Sequence, residues 1–378
     1  MLVSDLIWWQ WAHRALGHKK ISRRALDAFM LVQLGGFIWI MLGFFNRGHS
    51  DQWLPRPLAA GIFLWHFILL PIGMFILICD ALSTGISRLR RKPIAFAPSR
   101  RDFLRTVALA TPPIATFLAT GASLAELSHF RIRRFTLTMP QLPPALDGLT
   151  IAQVSDIHVG RFSTESVLGK IVDATNSMNA DLVLLSGDLI DHSLTDLPRG
   201  LEMVRQMKSR YGAFMCEGNH DLFESPFRFE QGVKSAGVPL LINETTTLDI
   251  RGQKVQLLGL EWGLLTKSYF RDSRIAASMK TLLPQRDPDA FAILLAHHPH
   301  AFDLAAEAGI PLTLSGHTHG GQLMLSKNLG VGPMIFRYWS GLYEKGDSKL
   351  IVSNGVGNWF PLRINAPAEL VHITLRRA

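Results

Sequence analysis

The sequence predicts a layered α/β domain with a mixed sheet, preceded by membrane-crossing helices, and three observations carry that prediction. Apolar residues crowd before residue 126; short β-type runs alternate with helical patterns from Leu149 onward; and each cluster of Asp, Asn or His begins where an apolar run stops. The chain has 378 residues, 48% of them hydrophobic, with a mean hydropathy of +0.18 and a net charge of +9. That length suits one ordinary domain and one smaller part.

The apolar part comes first. The runs 25–45 and 58–79 are long enough to cross the roughly 30 Å hydrocarbon core of a bilayer, and neither has Lys or Arg in its middle. Asp27 lies at the edge of the first, His66 and Pro71 interrupt the second, and the link 46–57 is short and weakly charged. Arg14, Lys19, Lys20, Arg23 and Arg24 precede the pair, and Arg88, Arg90, Arg91, Lys92, Arg100, Arg101 and Arg105 come after it. Basic flanks on both outer sides predict a helical hairpin with its ends in the cytoplasm. A third run, 106–125, is rich in Ala and Thr and carries Pro112 and Pro113. Ser99 to Arg105 resembles a twin-arginine export signal and Ser123-Leu124-Ala125 a cleavage site; a Pro-kinked third span behind a basic flank is the plainer alternative. Either one exports the downstream domain, whereas an interfacial segment leaves that domain inside. The expectation is a multi-pass inner-membrane protein: a membrane region 1–126, a linker 127–148 and an extracytoplasmic domain 149–378. Arg131, Arg133 and Arg134 oppose export but form a smaller cluster than the one upstream. Membrane lipids are therefore expected partners. Nucleic acid is not, since the globular part has no basic stripe interleaved with aromatics. Cys79 and Cys216 read as small buried hydrophobes, with no zinc-type spacing.

In the globular part, strands are expected at 149–154, 182–186, 213–216, 254–260, 291–296, 312–315, 350–353 and 370–375. Helices are expected at 165–178, 197–208, 227–235 and 274–283. Motifs stand at the strand ends, where ligand sites of layered α/β folds gather. In order they are Asp156-Ile157-His158, Gly187-Asp188-Leu189-Ile190-Asp191, Gly218-Asn219-His220-Asp221, His297-His298-Pro299 and Gly316-His317-Thr318-His319-Gly320-Gly321. Two Asp, one Asn and several imidazoles suit Mn, Fe, Zn or Co better than Mg, which prefers oxygen, or structural zinc, which prefers Cys. Seven donors exceed what one ion needs. Two ions ~3.5–4 Å apart generate hydroxide at neutral pH and clamp both oxygens of an in-line phosphoryl displacement. Asp191 is either a carboxylate holding a neighbouring ligand or His220, or a helix N-cap. His297 and His298 both come after one strand, and strand alternation does not choose between them. Asp221 reads as shaping its turn, and His192, His300 and His372 as solvent or packing residues. Trp262, Phe336, Tyr338, Trp339, Trp359 and Phe360 form either an apolar rim or ordinary packing.

This order of motifs resembles the calcineurin-like metallophosphoesterase superfamily over essentially all of residues 149–378. Gly341-Leu342-Tyr343 to Gly346, Ser353-Asn354-Gly355-Val356-Gly357, Arg363-Ile364-Asn365 and Pro367-Ala368-Glu369 resemble its membrane-associated bacterial phosphodiesterase branch. The resemblance implies an αββα sandwich with two divalent or mixed-valence metal ions. Asp156, His158 and His319 would hold one, Asn219, His297 and His317 the other, and Asp188 would bridge them. His220 would be a non-ligand imidazole that stabilises the transition state or protonates the leaving oxygen. The implied substrate is a phosphate ester, a diester or pyrophosphate of the cell envelope or of a lipid. A UDP-diacylglucosamine pyrophosphatase would need a cytoplasmic site. A non-catalytic membrane adaptor is the contrasting class, and the intact ligand set opposes it.

Overall fold

The computed structural model describes residues 1–17, 19–45, 54–89, 98–262 and 271–378. The chain divides into two units, Met1–Glu126 with Phe360–Leu362, and Leu127–Trp359 with Arg363–Ala378.

The first unit is helical: α1 (Leu2–Leu16), α2 (Lys20–Phe45), α3 (Arg56–Leu64), α4 (Leu70–Leu89) and α5 (Pro98–Glu126). Among the described residues, Lys20–Gly43 and Arg56–Cys79 are long and apolar enough to cross a membrane. Most of the link 46–57, and Arg90, Arg91 and Lys92 of the expected basic flank, lie outside the described residues. The third apolar run lies within α5, with Pro112 and Pro113 inside the helix. The second run does not break at His66. It continues through a π-helical turn, Trp65–Leu69, just before Pro71, whose missing N–H and bulky ring disfavour the ordinary α ladder there. Helix α1 was not expected, because its tryptophans and charges alternate too closely to read as a span. It packs Trp8 edge-on against Trp65, 4.8 Å between ring centres. Trp65 donates to Asp5 (2.8 Å) and Trp9 to Asp27 (2.9 Å), so each of these two acids accepts an indole N–H.

The second unit has four layers. A five-stranded sheet has the order β1 (Arg131–Met139), β13 (Glu369–Arg377), β2 (Thr150–Val154), β3 (Leu182–Ser186), β4 (Ala213–Cys216). A six-stranded sheet has the order β11 (Gly341–Lys345), β12 (Ser348–Val352), β8 (Leu312–Ser315), β7 (Phe291–Leu295), β6 (Gln253–Gly259), β5 (Glu244–Ile250). Strands β2, β3 and β4 run parallel, as do β6, β7, β8 and β12. Of these, β3 and β7 are buried at every residue, and their runs are apolar but for Ser186. Alternate residues serve the two layers. Leu182, Leu184, Ile293 and Leu295 fill the space between the sheets, while Val183 and Leu185 pack outward under α6 (Glu165–Ser177), α7 (Leu197–Gln206) and α8 (Pro226–Ser235). Ala292 and Leu294 pack outward under α9 (Arg271–Leu282) and α10 (Ala301–Glu307). A short hairpin, β9 (Met324–Ser326) with β10 (Leu329–Gly330), and the one-turn α11 (Val331–Ile335) come after β8. This is the αββα sandwich expected.

Residues 127–148, expected as a linker, contain β1, which pairs in parallel with β13 along its whole length. Its alternation of Ile132, Phe135, Leu137 and Met139 is hidden by Arg131, Arg133 and Arg134. Two of those arginines have a structural role: Arg131 and Arg133 meet the fully buried Glu369 carboxylate at 2.8 and 3.4 Å.

Candidate metal centre

The carboxyl ends of β2, β3, β4, β7 and β8 bring the motif residues to one edge of the sandwich. They arrive in a backbone conformation that side chains avoid. Asp156, His158, Asp188, His317 and His319 all have positive φ, between 46° and 72°. This region costs non-glycine residues energy and concentrates at functional sites. Glycines beside them make room: a Cβ on Gly218 would lie 2.1 Å from Asp188 Oδ1, and one on Gly316 2.1 Å from Asp156 Oδ2.

The donor atoms converge. Asp156, His158 and His319 form one group that could hold an ion, and Asp156, Asp188 and His297 another. His319 Nε2 is 3.3 Å from Asp156 Oδ1 and 3.0 Å from His158 Nε2. His297 Nε2 is 3.0 Å from Asp188 Oδ2, and His317 Nδ1 is 2.9 Å from Asn219 Oδ1. Asp188 Oδ2 also lies 3.7 Å from His158 Nε2, so it reaches a member of each set, while Asp156 belongs to both groups. His297 donates from Nδ1 to the Ser186 carbonyl (2.7 Å), which leaves Nε2 facing the cluster. His298 instead accepts from the His300 N–H (3.2 Å). His297 thus turns Nε2 to Asp188, while His298 turns Nδ1 to a neighbouring backbone N–H.

The donor set fits cations. Buried His158 Nδ1 and His297 Nε2 have no hydrogen bond of proper geometry among the described residues, and two imidazole Nε2 atoms face each other at 3.0 Å. Unpartnered ring nitrogens buried beside carboxylates are what a bound cation would satisfy. Burial pushes the Asp156 carboxyl up to about 6, despite the pull of His297. Burial likewise drives His158 down to about 3, with repulsion from His220 adding to it. Asp188 is the anion of the site: burial opposes its charge, but His297, His220 and His158 together hold it well below the usual carboxylate range.

His220 is held differently. Its Nδ1 is 2.5 Å from the Asp191 carbonyl and 3.4 Å from Asp191 Oδ1. Burial disfavours its charge, yet Asp188 and Asp191 outweigh burial and push it up to about 9. His158, Asp191 and His220 also lie close enough to hold an ion. The bond from His220 Nδ1 to a carbonyl, however, gives that nitrogen a proton to donate rather than a lone pair. Asp191 does not cap a helix; that place belongs to Ser193, whose side chain accepts from Thr195 N–H. Asp221 accepts from the backbone of Asp188, Gly218 and Ile190 at 2.9–3.0 Å, pinning two strand-exit loops together.

Of the six aromatics weighed as a rim, Trp262, Phe336 and Trp359 stand against the site. Trp262 is 5.0 Å from the His317 ring, Phe336 5.5 Å from the same ring and Trp359 5.9 Å from His220. Tyr338 and Trp339 pack on Tyr343, and Phe360 is buried. Phe223, unmarked in the sequence, lies 4.5 Å from His220. Arg363 is a second site residue that sequence reasoning missed. It donates to His319 Nδ1 (2.9 Å) and to the carbonyls of Asn354, Gly355, Gly357 and Ala366. Its one signal in the sequence is the run Arg363-Ile364-Asn365, which carries a family likeness but no chemistry of its own.

The calcineurin-like phosphoesterase family pattern matches residues 149–321. An uncharacterized metallophosphoesterase of Helicobacter pylori strain J99 is 31% identical over 370 residues, covering 94% of this chain and 91% of its own. The phosphodiesterase YaeI of Escherichia coli is 26% identical over 73% of this chain and 99% of its own. A zebrafish transmembrane protein with metallophosphoesterase domain is 29% identical over 89% of this chain and 76% of its own. Together with the two apolar helices, such relatives point to membrane association. With one relative matched almost end to end, and the expected motifs converging at one sheet edge, the chain belongs to the calcineurin-like metallophosphoesterase family.

Proposed function

We propose that this chain is a dinuclear metal-dependent phosphodiesterase or pyrophosphatase acting on a lipid-linked or cell-envelope phosphate, with its catalytic unit outside the cytoplasm. The observation that carries the chemistry is Asp188, an anionic carboxylate whose Oδ2 lies 3.0 Å from His297 Nε2 and 3.7 Å from His158 Nε2. Asp156, His158 and His319 would hold one cation, Asn219, His297 and His317 the other, with Asp188 shared. When bound, the pair supplies an activated water and draws charge from the phosphoryl oxygens.

The chain's own residues do the rest. His220 keeps its proton at neutral pH because Asp191 and Asp188 stabilise the imidazolium. With Nδ1 tied to Asp191, Nε2 is the atom that passes a proton to the leaving oxygen. Trp262, Phe336, Trp359 and Phe223 set apolar rings against the imidazoles. A membrane-tethered enzyme meets lipid phosphates at high local concentration, which supports that substrate class.

Asp188→Ala tests the reading. We expect hydrolysis of every phosphate ester to be lost and elemental analysis of the purified variant to find one metal ion per chain or none. Two ions still bound per chain would mean that Asp188 is not the bridge.

A further inference from the structure

Apart from Phe336, the segment 322–343 takes no part in the proposed chemistry, and the composition of this stretch of chain is unusual. From Ile310 to Tyr343 there is no carboxylate, and apart from the histidines the charged side chains are Lys327 and Arg337. Here β9, β10 and α11 form one hydrogen-bonded substructure. Met324 N–H donates to the Ile364 carbonyl, Val331 N–H to the Leu323 carbonyl, and Asn365 Nδ2 to the Met324 carbonyl, at 2.8–3.1 Å. A Cβ on Gly321 would lie 2.6 Å from Gly332 Cα, so α11 is packed tightly against the turn that carries His319. This anchored piece nevertheless exposes Leu325, Leu329, Met334, Ile335 and Ile364, with Leu325 78% and Met334 81% exposed. Single exposed apolar side chains are ordinary on proteins. Five on one small, rigid substructure mark an interaction surface. At its inner end Phe336 leans on His317.

We infer that this ledge seats in the interfacial zone of a lipid bilayer, its apolar side chains among the acyl chains and Lys327 at the phosphate level. Arg337 is paired with Asp303, which leaves apolar tips beside Lys327, a combination that suits an anionic headgroup layer. The same polypeptide carries two helices of membrane-crossing length, so a bilayer is always within molecular reach. The inference deepens the proposed lipid-linked substrate and rests on that reading only for what the ledge would present to the site. Its consequence there is that the phosphate of a bilayer lipid reaches the imidazoles past Phe336 without leaving the membrane.

The test is independent of turnover. Full-length protein with Cys79→Ser is reconstituted into phosphatidylcholine vesicles containing phosphatidylglycerol. Nitroxide labels are placed at Leu325→Cys, Leu329→Cys or Met334→Cys, with Lys208→Cys as an aqueous reference; circular dichroism confirms folding of each. We expect the three ledge labels to collide with oxygen in preference to a nickel chelate, as at acyl depth, while the label at residue 208 does the reverse. We further expect L325E/M334E to return the residue-329 label to aqueous behaviour. Ledge labels as aqueous as the reference would overturn the inference. So would labels shielded from both reagents, as beneath a second copy, or a residue-329 label that stays immersed in the charged variant. Immersed labels on a protein that hydrolyses no lipid phosphate would leave the ledge standing and refute the proposed substrate instead.

Discussion

At the residue scale, two side chains make opposite predictions about metal. His220 touches the cluster without offering it a lone pair, so His220→Ala should keep full metal content while turnover falls roughly 10²–10⁴-fold on esters with poor leaving groups. A nitrophenyl diester, whose leaving oxygen needs no proton, should lose less. Equal losses on both substrates would remove the proton-donor role, and lost metal would make His220 a ligand. Arg363 works from behind His319. Its guanidinium fixes the ring through Nδ1 and ties together the loop 354–366. Arg363→Met removes a cation and the donor that keeps the proton of a neutral His319 on Nε2, so metal binding should strengthen, by roughly 10-fold. Chelator competition measures it, and an unchanged or weaker affinity would show that Arg363 does not oppose the ion. The structure explains why the sequence exposed one and hid the other. His220 sits in a glycine-bounded motif at a strand end. Arg363 lies 44 residues beyond His319, in a loop with no periodic pattern to place it.

At the element scale, β1 and β13 hold the five-stranded sheet's outer side through one acid. Glu369 is fully buried, takes Arg131 and Arg133 from β1, and accepts the Asn354 N–H at 3.2 Å. Removing one partner of a buried ion pair costs ~3–5 kcal/mol; here the arginines are partly exposed, so Glu369→Ala should cost nearer ~2–3 kcal/mol. Arg131→Ala, an exposed-side deletion that leaves Arg133, should cost less than ~1 kcal/mol. Thermal unfolding in detergent distinguishes them, and equal small effects would show that Glu369 is not the anchor. This pairing also explains which elements were legible. Strands β3, β4 and β8 could be read to the residue because each is short, largely buried and ends just before a glycine-bearing motif. β1 and β5 lie on sheet margins, where charges and threonines replace an apolar run. α1 was missed because its tryptophans serve helix packing rather than a continuous apolar span.

At the scale of the whole molecule, the side of the membrane occupied by the catalytic unit decides which phosphates it can meet. The proposal of an extracytoplasmic site had faced the basic residues 131, 133 and 134. With Arg131 and Arg133 engaged by Glu369 inside the folded unit, they weigh less as a topological signal. A periplasm-active reporter fused after Ala378 should function in intact cells, and a cytoplasm-active one should not. The reverse pattern would place the unit inside and make nucleotide-linked lipid precursors the leading substrates.

The positive φ angles of Asp156, His158, Asp188, His317 and His319 bear on how such a protein can change over generations. A left-handed residue with a Cβ costs roughly 1–2 kcal/mol, and the substitution that relieves it most readily is glycine, which has no ligand to give. At these five places stability and chemistry therefore pull in opposite directions. Each ligand is kept only while its usefulness outweighs a standing incentive to discard it. A lineage released from the need to cleave its substrate would gain stability with each step away. A site built on such backbone thus has no neutral path along which to fade.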